Sequence, residues 1–130
     1  MKAGLVLFRV TGAVLGLQLV LGGLLTFGFI SPEAHIVVGF ILFFLAIATM
    51  VAWLTSKPPF RLMQRLTVAI VVLLLLQIIL GFATLNSGNQ AIAFLHFMTA
   101  LAIFGATISG TLIAMRQGNH PPRSEVPSTT

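Results

Sequence analysis

Apolar positions dominate four long runs of this chain, about residues 4–30, 33–55, 61–85 and 91–116, and polar residues gather in the short stretches between them. Each run meets or exceeds the ~20 residues a helix needs to cross a bilayer. The breaks carry helix punctuation. Ser31-Pro32-Glu33 supplies an N-cap, a proline suited to the first helical position and an acid for the first turn. Lys57-Pro58-Pro59 closes the second run, because proline has no N–H to donate and collides with the preceding turn. Asn86-Ser87-Gly88-Asn89 is a polar turn. The pattern predicts an all-α integral membrane protein, an antiparallel four-helix transmembrane bundle within residues 1–116. The proline- and serine-rich residues 117–130 are expected to form a disordered cytoplasmic tail.

Composition sharpens this picture. Only 7% of the 130 residues are charged and 58% are hydrophobic, whereas a soluble domain carries about a quarter charged residues. The first run is too long for a signal peptide and lacks a cleavage site, so it is read as a retained span. The absence of cysteine rules out disulfides, thiolate ligands, iron–sulfur clusters and covalent c-type haem attachment.

The net charge of +5 is a topology signal. Lys2 precedes and Arg9 opens the first run, Lys57, Arg61 and Arg65 surround the second connection, and Arg116 and Arg123 follow the fourth run. The other two connections have no basic residue. By the positive-inside rule both termini are cytoplasmic in a plasma-membrane protein. The basic side chains then contact the lipid bilayer, with Arg9, Arg61 and Arg65 as snorkelling anchors, and nucleic acid is not a partner.

An internal repeat organises the chain. Gln18-Leu-Val-Leu-Gly22 recurs as Gln77-Ile-Ile-Leu-Gly81, 59 residues later. His35 follows Gln18 by 17 residues and His96 follows Gln77 by 19. The fold is therefore expected to be two hairpins in a parallel repeat, with any shared site on the pseudo-two-fold axis. Both histidines fall one to one and a half turns below the outer ends of their helices, with small residues a turn further on, Gly39 and Ala100. Gly22 and Gly81 lie at a similar level, and Ala46, Thr49, Thr107 and Gly110 lie deeper on the histidine faces. Two imidazoles above a ring of small residues suggest room for a flat ligand, and a haem with axial ligands His35 and His96 fits that description.

Other readings use the same residues. A lone histidine at a helix end is commonly an interfacial or hydrogen-bonded group, and small residues in membrane helices commonly mean close packing. Gln18 and Gln77 read as interhelical hydrogen-bond partners. His120, beside two prolines, reads as inert. A proton-coupled exporter needs a deep carboxylate and a channel needs rings of polar groups; neither is present in the runs. Zinc would find two histidines and one acid, a thin set.

The segments LQLVLGGLLTFGF, followed by Glu33 and His35, and LQIILGFATL, followed by AFLHFMTALA, resemble the haem A synthase family. The resemblance covers nearly all of residues 4–116 and corresponds to one compact four-helix half of the usual eight-span protein. It implies oxidation of the C8 methyl of haem O to the formyl of haem A for cytochrome oxidase assembly, with a b-type haem as cofactor. It also implies that His35 and His96 are the axial pair and that Glu33 is the catalytic acid, while the depth reading places Gly22, Gly39, Gly81 and Ala100 as the small residues against the bound group. One site per chain would require a homodimer or a partner. The alternative is a non-catalytic haem-b or structural subunit of a respiratory oxidase or supercomplex. A haemless subunit lining a lipid or quinone cleft ranks below both. Glu33 precedes His35 by two residues where the family acid precedes by three, which places the two on different helix faces and favours a role in starting the helix.

Overall fold

A computed structural model describes residues 2–57 and 60–118. Its four helices are α1 (Lys2–Thr26), α2 (Pro32–Leu54), α3 (Arg61–Ser87) and α4 (Gln90–Gly118). Each is long and apolar enough to cross a membrane. Their outward faces expose large apolar side chains such as Val20, Val37, Phe44, Val72 and Ile79. Water tolerates only small contiguous patches of that kind, whereas hydrocarbon matches them.

The turn chemistry sets the helix ends. α1 stops at Thr26, short of the predicted residue 30, because Gly28 turns left-handed at φ 75°. The amides of Phe27, Gly28 and Phe29 then bond back to the carbonyls of Gly23, Leu25 and Leu24. Ser31 is extended and Pro32 opens α2 as the punctuation predicts, although the Ser31 hydroxyl makes no capping bond. Gly88, at φ 60°, closes α3 with its N–H on the Thr84 carbonyl. The Asn89 side-chain oxygen accepts the Ala91 N–H at 2.9 Å and starts α4. α4 runs to Gly118, two residues into the predicted tail. Pro58, Pro59 and residues 119–130, with His120 and Arg123, lie outside the described residues, and so does the rest of the expected disordered tail.

Each helix packs against two others: α1 against α2 and α4, and α3 against α4 and α2. Among the described residues the diagonal pairs α1–α3 and α2–α4 have no close backbone approach. The result is a four-cornered bundle. Positions ascending α1 meet positions descending α2. Gly4 lies against Trp53, the Thr11 and Thr49 hydroxyls bond at 2.9 Å, and Gln18 bonds His35.

The buried positions show the repeat far beyond the Q-x-x-L-G segments. They are Gly4, Phe8, Thr11 and Leu15 on α1, and Met63, Thr67, Ile70 and Leu74 on α3, each 59 residues after its counterpart. On α2 they are Leu42, Ala46, Thr49 and Trp53, and on α4 Ile103, Thr107, Gly110 and Ala114, each 61 residues later. Spacing alternates between three and four residues, the seam of helices packed at shallow angles. Volume is exchanged between the halves. Gly4 makes room for Trp53, while their counterparts are the large Met63 and the small Ala114. Interiors need constant density but not identical side chains, so the repeat keeps the seam and varies its filling.

Candidate functional site

Continuing the same three-four seam toward the end that carries the α1–α2 and α3–α4 connections reaches Gln18 and Gly22, His35 and Gly39, Gln77 and Gly81, and His96 and Ala100. The last two layers of the bundle are therefore polar. His35 on α2 and His96 on α4 are half-buried and come from diagonal corners. Their rings meet edge to face, with centroids 6.3 Å apart and planes at 76°. The sequence expectation that they face each other holds in this geometry.

The glutamines fix the two histidine-bearing helices. The Gln18 side-chain amide donates to the His35 carbonyl at 2.9 Å, and Gln77 donates to the His96 carbonyl at 3.0 Å. Both act as the interhelical partners expected of them. Gln18 does more: its Nε2 also lies 3.2 Å from His35 Nε2. Three buried polar atoms in these layers have no partner among the described residues, Nδ1 of His35, Nδ1 of His96 and Oε1 of Gln18. Leaving such atoms unpaired costs about 1–3 kcal/mol each, so their concentration in one place marks a site with capacity for a ligand.

The small residues do something different from the expectation. A side chain at Gly22 would stand 3.2 Å from His35 Cε1, one at Gly81 would stand 3.4 Å from His96 Cε1, and one at Gly39 would stand 3.0 Å from Gln18 Nε2. Further in, Phe8 and Leu66 fill the space beside Gly110. The glycines admit the protein's own imidazoles, amide and phenyl ring, and leave no ready-made slot. Thr26 and Thr84 bond carbonyls of their own helices, those of Gly22 and Leu80. Ala100 is half-buried one turn beyond His96 and matches Gly39 in the repeat. Glu33 is exposed at the rim, in the first turn of α2.

Among the described residues no three His, Cys, Asp or Glu side chains come together. A bare ion such as zinc wants about four protein donors in a structural site, and this layer offers two imidazoles. The two imidazoles meet with centroids 6.3 Å apart and planes at 76°, while His35 Nε2 faces Gln18 and both Nδ1 atoms are buried. A flat ligand between the rings requires the two outer layers to open, because the glycine faces are filled.

At the other end sequence reasoning missed a second buried polar group. The Trp53 indole N–H is buried without an acceptor, its ring stacks edge-on against Phe60, and Gln64 donates to its carbonyl at 3.1 Å. The repeat offsets could have found the Trp53 position, since Ala114 lies 61 residues after it on the same seam.

Comparison with protein-family models, with curated proteins and with solved structures finds no match.

Proposed function

We propose that this chain is a haem-binding membrane protein. In this reading it is an antiparallel bundle of two repeated hairpins in the plasma membrane, with both termini cytoplasmic and one haem b ligated by His35 and His96. The observation that carries it is the meeting of those two imidazoles from diagonal corners, each with a buried nitrogen that has no partner among the described residues. The one-sided Lys and Arg distribution supports the orientation. A haem held by two histidines supplies a one-electron couple. The protein's contribution is to hold the ligands through Gln18 and Gln77 and to exclude water with its apolar seam.

The resemblance to haem A synthases would extend this to oxidation of the C8 methyl of haem O. Glu33, the one acid near the layer, is exposed rather than turned into it, which favours haem binding without that oxidation. The chain then serves as a haem-b subunit within a respiratory membrane assembly, or as a homodimer.

The test is purification of the full chain with pyridine-haem analysis and a visible spectrum. Haem b in a low-spin, six-coordinate form is expected, with ligation lost or altered in both His35→Ala and His96→Ala. A haem-free chain, or unchanged six-coordinate spectra in both variants, would overturn the reading. Haem A accumulating from haem O would instead establish the oxidative function.

A further inference from the structure

The α2–α3 corner gathers positive charge that nothing among the described residues neutralises. Lys57 stands in the connection and Arg61 and Arg65 lie in the first two turns of α3, all three exposed. Arg61 and Arg65 are four residues apart, so they share one helix face about 6 Å apart along the axis. The one acid among the described residues is Glu33, at the opposite end of α2.

This corner is braced from inside. The Trp53 carbonyl accepts the Ser56 hydroxyl at 2.7 Å and the Gln64 side-chain amide at 3.1 Å. The Trp53 ring also meets Phe60 edge to face, with centroids 5.6 Å apart. Gln64 thereby ties the start of α3 to the end of α2, and Arg61 and Arg65 are left on the outer face. Phe60 gives α3 no side-chain cap, so the amides of the first turn add positive potential at the same place. Toward the middle of the bundle the arginine face continues as Val68 and Val72, both exposed. The stripe has a cationic head and an apolar body.

We propose that Lys57, Arg61 and Arg65 form a binding surface for an acidic phospholipid, with its phosphate on the guanidinium groups and an acyl chain along Val68 and Val72. A guanidinium is always charged and grips phosphate oxygens in pairs. Free phosphate would use the cations alone; the exposed valines in line with them favour the lipid. Arg9 is as exposed as these arginines, but it lies on α1, the corner diagonal to α3, between Val6 and Val10. It is the natural control. The surface lies away from the histidine layer and does not depend on the haem reading.

Trp53 is the one tryptophan of the chain and stands at this corner, so its fluorescence reports the lipid beside it. The full chain is reconstituted in mixtures of phosphatidylcholine and phosphatidylglycerol, one lipid at a time carrying bromine near its headgroup, and quenching gives the relative affinity. Each cation near an anionic lipid shifts the preference roughly fivefold. At low salt the wild type is therefore expected to favour phosphatidylglycerol by about fivefold or more, and Arg61→Gln/Arg65→Gln to lose roughly fivefold or more of that preference. Arg9→Gln should change it less than about twofold, because a lone cation elsewhere adds little at this corner. The wild-type preference should also collapse near 1 M salt, where the screening length is about 3 Å. Exposed arginines are dispensable for folding; should the double variant still not fold, Arg65→Gln alone is read the same way, with a roughly fivefold loss expected. No preference in the wild type, a preference that survives the substitutions or high salt, or an equal loss in Arg9→Gln would overturn the proposal.

Discussion

Small differences in reach decide what the site residues do. Gly22 and Gly81 are repeat partners, yet a β-carbon would stand 3.2 Å from the His35 ring in one case and 3.4 Å from the His96 ring in the other. At the first distance the imidazole has to give by a few tenths of an ångström, and the second stands at the edge of ordinary contact. Gly22→Ala is therefore expected to shift the haem spectrum or lower haem content, while Gly81→Ala leaves both near wild type. Spectra of the two purified variants, side by side, check this; equal perturbation would mean the ring positions are slack. Glu33 tests the opposite kind of residue. Its carboxylate is exposed and its place is the first turn of α2, where an acid favours the helix N-terminus. Glu33→Gln should leave haem content unchanged, and loss of haem A formation with haem still bound would show the acid to be chemical.

At the level of helices, packing rather than polarity carries the burden. Gly110 on α4 sits where a β-carbon would run into Leu66 and Phe8, so it is a contact point between helices. Gly110→Ala should overpack the seam and cost about 1–3 kcal/mol of stability. Gly105→Ala, on the exposed face of the same helix with nothing nearby, is the control and should change little. Thermal unfolding in detergent separates them. The Thr11–Thr49 contact at 2.9 Å joins α1 to α2 deep in the bundle, but each hydroxyl has one hydrogen and also lies within bonding distance of a carbonyl of its own helix, Leu7 or Leu45, so the bond across the helices forms only when one of them gives up its carbonyl. Thr11→Val should therefore cost only about 0.6 kcal/mol, the usual size of an interhelical hydrogen bond in a membrane protein. A loss of several kcal/mol would show that the threonine holds something more.

For the whole molecule, four helices share one buried seam. Among the described residues the diagonal corners do not approach by backbone, and the histidine rings meet across one of those diagonals. The basic residues near the other end of the bundle, Arg9, Arg61 and Arg65, are all exposed. The start of α1 and the end of α4 lie at that end, and on the proposed orientation a reporter fused after Thr130 is expected to be active only in the cytoplasm. Activity only outside the cell would reverse the orientation and with it the placement of the site.

The one-dimensional pattern by itself determined the number of helices and most of their ends. Run length, Pro32, Gly88 and the polar breaks act locally, within a turn or two of where they stand. It also determined the pairing of His35 with His96, because equivalent places in a repeat are equivalent places in space. The end of α1 at Thr26 was hidden, since only the left-handed turn at Gly28 distinguishes residues 27–30 from the helix before them. What the tertiary structure alone decided is how space is filled. Small residues at Gly22, Gly39, Gly81 and Gly110 look alike as letters, whether they open a slot or receive a neighbour. Each receives one, an imidazole, an amide or a phenyl ring. The second bond of Gln18 belongs to the same class of fact. Gln18 and Gln77 read identically in sequence, and only the ångström-scale approach of helix to helix gives one of them a histidine ring to hold.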